Sequence, residues 1–230
     1  MITRKVNGKE TKIPTNWGDI CFSQYIEILK LAGNPKADYM DTISICLSIP
    51  REQVAKMETD NVFELLNVIS FTNIPAVIDL KPKSILNYLI PKDITLESLS
   101  QFENMRIVMS NSNPKEGDTD IEKIVRITEA YPTYAAIYCQ KIRDGVYDYD
   151  KAMEMVPEMW RAPALEILSA GNFFLISLSS SFSSTTKTSL QRVPVWRRSR
   201  LVLAELQRTG AFIKRWIISL VKPMSKKTSF

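Results

Sequence analysis

The 230-residue sequence predicts a mainly α-helical protein: a helical bundle body with a small N-terminal β-hairpin, a Ser/Thr-rich linker and a C-terminal amphipathic helix. Three observations lead to this fold class. Apolar residues recur at helical spacing along most of the chain. Asn7-Gly8, a pair that favours a tight turn, lies between two short segments near the start. Ten Ser or Thr residues fall within residues 177–189, a composition that buries too little apolar surface to order itself. We therefore expect residues 1–176 to form the hairpin and body, residues 177–193 the linker, and residues 194–230 a basic tail.

The N-terminal hairpin is expected to have a type I′ turn at Asn7-Gly8, because both central residues of that turn have positive φ. This turn places Lys5 opposite Glu10, so that opposite charges face each other across the strands. Pro14 ends the second strand. Because an isolated hairpin is only marginally stable, we expect it to pack against the body. The other predicted pairs are Val6 with Lys9, Arg4 with Thr11 and Ile2 with Ile13.

Four helices are predicted in the segment that follows. The first has Asp19 as its N-cap and ends at Gly33-Asn34-Pro35. The second spans residues 38–47, the third spans residues 51–57, and the fourth follows Asp60. The predicted buried face of the first helix comprises Phe22, Tyr25, Ile26 and Leu29, and that of the fourth comprises Val62, Phe63, Leu66 and Ile69.

The middle of the chain is less clearly patterned. Residues 77–81 are compatible with a strand, and residues 84–89 with either a short helix or a second strand. A helix is predicted over residues 96–109, followed by a polar surface loop over residues 111–118.

A helix is then predicted to begin at a capping box. Thr119 and Glu122 have the spacing at which each side chain bonds the backbone of the other. This helix is expected to run through Glu129 or beyond, and Asp144-Gly145 is predicted to form a turn.

The last part of the body is also predicted to be helical. Asp150 is the expected N-cap of one helix. Pro157 and Pro163 are placed near helix starts, where proline is tolerated. A strongly apolar helix is predicted over residues 164–178. We interpret Met153, Met155 and Met159, which lie close to Trp160 in the sequence, as residues that fill the core.

No catalytic, cofactor-binding or metal-binding residue is predicted. The chain contains no histidine, the residue on which His-ligated zinc or haem sites and Ser/His or Cys/His relays depend. Its seven glycines are too far apart for a dinucleotide or phosphate loop. Asp144, Asp148 and Asp150 lack the closing glutamate of a calcium loop, so a turn followed by a helix cap explains them better. Glu154 and Glu158 are interpreted as a solvated helix face. We therefore expect a protein that is not an enzyme and uses no cofactor.

The three cysteines, Cys21, Cys46 and Cys139, are interpreted as buried free thiols. They are odd in number and far apart, and each has apolar neighbours. The sequence has neither a secretory signal nor a long apolar run. We expect no transmembrane segment and a location in a cytoplasm.

Charge is distributed unevenly along the chain. Residues 171–230 contain eleven Lys or Arg residues and a single acid, Glu205, for a formal net charge of +10, whereas residues 1–170 carry −5. Such asymmetry suggests a polyanionic partner or an acidic protein surface. The alternative is that the tail folds back on its own acidic body.

The basic tail has an apolar face at helical spacing, which suits packing against another helix. Its large aromatic side chains can anchor an interface. The candidate partners are another protein, including a second copy of the chain, a nucleic acid on which Trp196 would stack, and a membrane surface. The predicted partner-binding residues are Trp196, Leu203, Leu206, Ile213, Trp216, Ile217 and Leu220. The nucleic-acid alternative uses Arg197, Arg198, Arg200, Arg208, Lys214 and Arg215.

Three stretches of the sequence resemble segments of small structural and assembly proteins of tailed bacteriophages. They are residues 13–25, with a proline followed by Trp, an acidic residue and Gln-Tyr; residues 45–50 followed by Glu52 and Val54; and residues 171–174. Within that group the sequence is most similar to tail assembly chaperones. The resemblance implies a non-enzymatic, mostly helical protein that binds other phage structural proteins in the host cytoplasm. It also allows a virion subunit at the head–tail junction, an option that the basic tail keeps open.

Overall fold

The computed structural model describes residues 1–6, 8–79, 82–89 and 99–185. Strand β1 (Ile2–Val6) and strand β2 (Lys9–Ile13) pair in antiparallel fashion. Every predicted pair is confirmed, including Lys5 opposite Glu10. Gly8 has a φ of +77°, a conformation that costs glycine little. Ile13 is buried, and β2 packs against a helix of the body, as the marginal stability of an isolated hairpin requires.

The first half of the body consists of short helices joined by tight turns. Asp38 caps the second of them by accepting from the N–H groups of Met40 and Asp41. The third is shorter than predicted because the helix ends after Val54. The helices are α1 (Phe22–Leu31), α2 (Tyr39–Leu47), α3 (Arg51–Val54) and α4 (Thr59–Val68), and a 3₁₀ turn (Ile69–Asn73) follows them.

The second half begins with a very small hairpin and continues with longer helices. Strands β3 (Ser84–Ile85) and β4 (Tyr88–Leu89) are joined by Leu86 and Asn87, both at positive φ. The second-strand alternative for residues 84–89 is therefore the one observed, whereas residues 77–79 form no strand. The helices are α5 (Leu99–Asn111), α6 (Asp120–Thr128), α7 (Tyr131–Asp144), α8 (Tyr149–Arg161) and α9 (Ala164–Thr185).

Helix α7 lies at the centre of the body, and α5, α8 and α9 pack around it. Its side chains are buried on nearly every face, Tyr131, Tyr134 and Ile137 among them. A helix that is buried on nearly every side shows no single apolar stripe, so the sequence pattern does not separate α7 from α6. Two local signals mark its ends: Pro132 lies in its first turn and Gly145, at a φ of +77°, follows its last residue.

Three predicted details of α4 and α8 are wrong. Phe63 is 48% exposed; the buried face of α4 is centred on Leu65 instead, because that side faces α2 and the hairpin. Helix α8 is capped by Asp148, which accepts from the N–H of Lys151 at 3.2 Å, and Asp150 lies in its first turn. Pro157 lies inside α8 and not near its start, although Pro163 does precede α9.

The boundary at the Ser/Thr-rich segment differs from the helix boundary. Helix α9 continues to Thr185, seven residues beyond the predicted end at Leu178. Once a helix is nucleated by packed residues, extending it through Ser and Thr costs only their modest propensity. Residues 186–193 of the predicted linker and residues 194–230 of the predicted tail lie outside the described residues, so the division into body, linker and tail stays a prediction.

Candidate interaction surfaces

The residues predicted to bind a partner all belong to the tail. Both the apolar set from Trp196 to Leu220 and the basic set from Arg197 to Arg215 lie outside the described residues. The described part of the chain shows where the other residues discussed from the sequence lie. It also shows which apolar side chains and clefts are exposed on the body.

Asp19 organises the start of the chain instead of capping α1. Its Oδ2 atom accepts hydrogen bonds from the Met1 ammonium at 2.7 Å, the Thr15 amide at 2.9 Å and the Asn16 side chain at 3.1 Å. Partial burial raises the pKa of Asp19, but the bonds from the ammonium and from Thr15 outweigh that effect and hold the pKa at about 2. The N-cap position of α1 falls to Cys21, whose amide donates to Gln24 Oε1 at 3.0 Å.

Gln24 joins the first two helices. Its Nε2 atom donates to the Ile45 carbonyl at 2.7 Å and to the Ser48 hydroxyl at 3.1 Å, at the C-terminal end of α2. A single side chain thereby satisfies a donor at the start of α1 and an acceptor at the end of α2. At the other end of α2, the Arg51 guanidinium bridges two carboxylates, those of Asp38 and Asp41.

Trp17 connects α1 with the segment that follows α4. Its indole N–H donates to the Ile74 carbonyl at 2.7 Å. The ring makes edge-to-face contacts, with centroids 5.3 Å apart, with both Tyr25 and Phe71. Trp17, Gln24 and Tyr25, which lie in the segment that resembles phage proteins, therefore have structural roles.

The Gly171-Asn172-Phe173-Phe174 segment lies at the contact between α7 and α9. A Cβ added to Gly171 would lie 2.1 Å from Tyr131 Cγ, so the helices approach at a distance that only glycine allows. The buried Asn172 donates to the Leu168 carbonyl at 2.8 Å and accepts from the Tyr131 hydroxyl at 3.4 Å. Phe174 stacks on Tyr138 with centroids 4.2 Å apart. This segment too has a structural role.

Gln140 is a buried polar residue that sequence analysis did not single out. Its Oε1 atom accepts from the Asp148 amide at 3.0 Å, and its Nε2 atom donates to the Val146 carbonyl and to Asp144 Oδ2, each at 3.1 Å. Arg143 donates to both oxygens of Asp144. The bonds from Arg143 and Gln140 lower the pKa of Asp144 to about 2. These three bonds of Gln140 shape the turn between α7 and α8. The predicted turn at Asp144-Gly145 is confirmed, and the cap that follows it is Asp148 in place of the predicted Asp150.

Two of the three cysteines are buried thiols, as predicted. Burial raises the pKa of Cys46 to about 12, and burial together with the charge of Glu158 raises that of Cys139 to about 12. Such thiols are weak nucleophiles at neutral pH because little thiolate forms. Cys21 is half-buried, which differs from the prediction. The predicted core role of Met155 and Met159 is confirmed, since both are buried.

The body leaves several large apolar side chains in contact with solvent. Phe63 on α4 and Ile107 on α5 are each 48% exposed. The others among the described residues are Met1, Tyr39, Ile74, Val77, Leu89, Leu99, Ile142, Val146 and Tyr149. Apolar side chains that are exposed singly are ordinary, and only one that adjoins a shaped cleft indicates a docking position.

A cleft lies between the hairpin and α4. Its volume is about 200 Å³. Its lining is mixed: the apolar side chains are Val6, Ile13, Leu65 and Val68, and the polar ones are Arg4, Lys5, Asn61 and Glu64. A second groove, of about 340 Å³, lies between α1 and α6. The charged groups at that second groove already bond within the chain: Lys30 with Glu129, Arg126 with Asp118, and Glu122 with Thr119.

Within the described residues (1–6, 8–79, 82–89 and 99–185), no three His, Cys, Asp or Glu side chains meet in a way that could hold a metal ion. In the same part of the chain, no helix combines the length and the apolar character needed to cross a membrane. No family model, curated protein or solved structure matches the chain.

Proposed function

We propose that the protein is a non-enzymatic bacteriophage assembly protein, most like a tail assembly chaperone, that acts by protein–protein contact through its basic tail. The observation that carries the proposal is the separation of charge: a net +10 over residues 171–230 against −5 over residues 1–170. In the tail, an apolar face at helical spacing accompanies that charge. A cationic segment with an apolar face suits an acidic protein surface that also offers an apolar groove.

The helical body supports this proposal as a scaffold. Residues that carry the resemblance to phage proteins, among them Trp17, Gln24 and Gly171, make the contacts that position α1, α2 and α9. A body stabilised in this way leaves the tail to supply the binding residues. The protein would act in the host cytoplasm during tail assembly, or in the virion if it remains there as a head–tail subunit.

The test uses two variants of the full chain that separate the apolar face from the charge. The face variant carries Leu206→Ser, Ile213→Ser and Ile217→Ser; the charge variant carries Arg197→Gln, Arg198→Gln and Arg200→Gln. Binding is measured against purified tail and neck proteins of the same phage. We expect the face variant to lose binding by tenfold or more, because buried large apolar side chains dominate interface energetics. Unchanged binding by the face variant, or by a chain that ends at residue 189, would contradict the proposal.

Binding of nucleic acid through the tail is the second candidate. The run Arg197-Arg198-Ser199-Arg200 beside Trp196 favours it, since guanidinium groups pair with phosphates and an indole stacks on bases. This function predicts an affinity that falls steeply with salt, because neutralising phosphates releases counterions. The charge variant would then lose binding to single-stranded DNA or RNA while the face variant keeps it. No binding at low salt would eliminate this candidate.

A further inference from the structure

We propose that residues 82–89 form a strap that opens from the body as a local unit, releasing Ile85 from its buried position beside α9 while the helices stay folded. The strap comprises β3, the turn at Leu86-Asn87 and β4. It belongs to the body alone. This conformational device therefore goes beyond the proposed function of the tail and is tested separately from it.

The turn of the strap holds a leucine in an unfavourable backbone conformation. Leu86 has a φ of +45° and Asn87 a φ of +71°. A two-residue hairpin turn with both residues at positive φ favours Asn and Gly, and Asn87 satisfies that preference in part. Leu86 does not, because its Cβ is crowded at positive φ and its side chain offers no compensating hydrogen bond. The closed strap therefore stores strain that its surroundings must hold.

The pairing within the strap is too short to hold that turn by itself. Each strand has two residues, and the pairs are Ser84 with Leu89 and Ile85 with Tyr88. Longer two-stranded hairpins are already only marginally stable in water. The closed conformation must therefore depend on contacts with the body.

A single fully buried side chain anchors the strap. Ile85 is 0% exposed, Leu86 and Tyr88 are half-buried, and the other three residues of 84–89 are exposed. Strand β3 packs against α9 and strand β4 against α7. A segment with few buried contacts opens at a lower free energy than the core of the same domain. Opening would expose the apolar surface that Ile85 now covers.

Two side chains of α9 latch the strap from outside the hairpin. Glu166 Oε2 accepts from the Leu86 amide at 2.8 Å. Ser169 Oγ accepts from the amide of Asp79, which precedes the strap, at 3.1 Å. Glu166 and Ser169 are three residues apart and so lie on the same face of α9. The strained turn is thus held by an acceptor on its own first residue, and loss of that bond favours release.

The first test is hydrogen exchange of the full chain, followed by NMR at single amides. The Leu86 amide should exchange about tenfold or more faster than the central amides of α7, at a rate that low urea leaves unchanged, because a local opening exposes little surface. Glu166→Ala should speed exchange of the Leu86 amide by a further tenfold or so and leave the α7 amides nearly unchanged. Asn87→Gly should slow it about threefold, since glycine suits the second turn position.

The matched control for the latch is Glu154→Ala. Glu154 is an exposed acid on α8, and its removal should leave exchange of the Leu86 amide unchanged. Circular dichroism and melting temperature confirm that each variant is folded. If Glu166→Ala fails to fold, exchange in the unaltered chain and in Asn87→Gly still decides the question.

The second test places a thiol beneath the strap. In Ile85→Cys, the introduced thiol should react with a maleimide about tenfold or more faster than Cys139, which is also buried, because only the strap opens readily. Adding Glu166→Ala should raise that rate further, while labelling of Cys46 and Cys139 stays slow. An introduced thiol that reacts no faster than Cys139, a Leu86 amide that exchanges only through global unfolding, or equal acceleration by Glu154→Ala and Glu166→Ala would each overturn the proposal.

Discussion

Gly171 of α9 faces the ring of Tyr131 on α7 so closely that a Cβ atom would lie 2.1 Å from Tyr131 Cγ and 2.7 Å from Tyr131 Cβ. Non-bonded carbon atoms are optimally separated by about 3.5–4.0 Å. Relief therefore requires movement of a buried ring or of one helix against the other. The contact fixes how α9 crosses the central helix of the body.

Gly171→Ala should lower the free energy of unfolding by about 1–3 kcal/mol, the usual cost of overpacking a core. The measurement is urea denaturation of the two single variants Gly171→Ala and Tyr131→Ala and of the double variant. Because removing the ring removes the two closest contacts of the added Cβ and leaves Tyr131 Cβ at 2.7 Å, the double variant should lose less stability than the two single variants together. Strictly additive losses would show that the two residues do not meet.

Tyr138→Phe should stabilise the protein by about 1 kcal/mol. The ring of Tyr138 is buried against Phe174, but its hydroxyl has no hydrogen-bond partner among the described residues. Removing an unsatisfied buried hydroxyl recovers its desolvation cost and keeps the ring stack.

The matched comparison for that prediction is Tyr134→Phe. The hydroxyl of Tyr134 is 3.2 Å from the Ser112 hydroxyl and forms a hydrogen bond with it, so its removal should cost about 1 kcal/mol. Thermal unfolding of both variants gives the sign of each change. Equal destabilisation by the two substitutions would contradict the interpretation of Tyr138.

Gln140→Leu should destabilise the protein by about 2–3 kcal/mol. The substitution leaves the Asp148 amide and the Val146 carbonyl without the partner that now satisfies them. Hydrogen exchange should also speed up at the turn between α7 and α8. Gln53→Leu, on the exposed surface of α3, is the control and should change stability by less than about 0.5 kcal/mol. Similar effects of both substitutions would count against the assigned role of Gln140.

Asp19→Asn should destabilise the protein at neutral pH and have little effect in strong acid. Because the folded-state pKa of Asp19 is held at about 2, below the value of about 3.9 for an unfolded chain, its ionised form stabilises the folded state above pH 4. That contribution, about 1–2 kcal/mol after allowance for solvent screening, is lost as the pH falls toward 2. Urea denaturation of both proteins at a series of pH values checks this expectation. A stability difference that stays constant from neutral pH to pH 2 would refute it.

Local patterns in the sequence predicted a large part of the fold. The turn preference of Asn7-Gly8 predicts every observed strand pair, and Thr119 caps the helix that follows it, as its capping box with Glu122 predicts. These features depend on hydrogen bonds within a few residues, which is the range over which a sequence pattern can be evaluated directly.

Features that depend on distant neighbours could not be predicted in the same way. Asp19 resembles an N-cap in sequence, yet Met1 and Thr15 compete for its carboxylate. Phe63 fits a buried stripe, yet α4 presents Leu65 to the body. Both outcomes follow from which groups meet in space. For the same reason the cleft beside α4 has no sequence signature, because the hairpin and the helix each provide only part of it.

The amino-acid sequence by itself determined the mainly helical character, the hairpin and the contrast between an acidic body and a basic C-terminal segment. These features depend on composition, residue spacing and turn chemistry, all of which act locally. Tertiary structure decided that α7 is the buried centre, that Gly171 contacts it closely and Gln140 bonds the turn that follows it, and that Phe63 remains at the surface. The physical reason is that burial is a property of the whole arrangement: one face of a helix leaves water only when another element arrives to cover it.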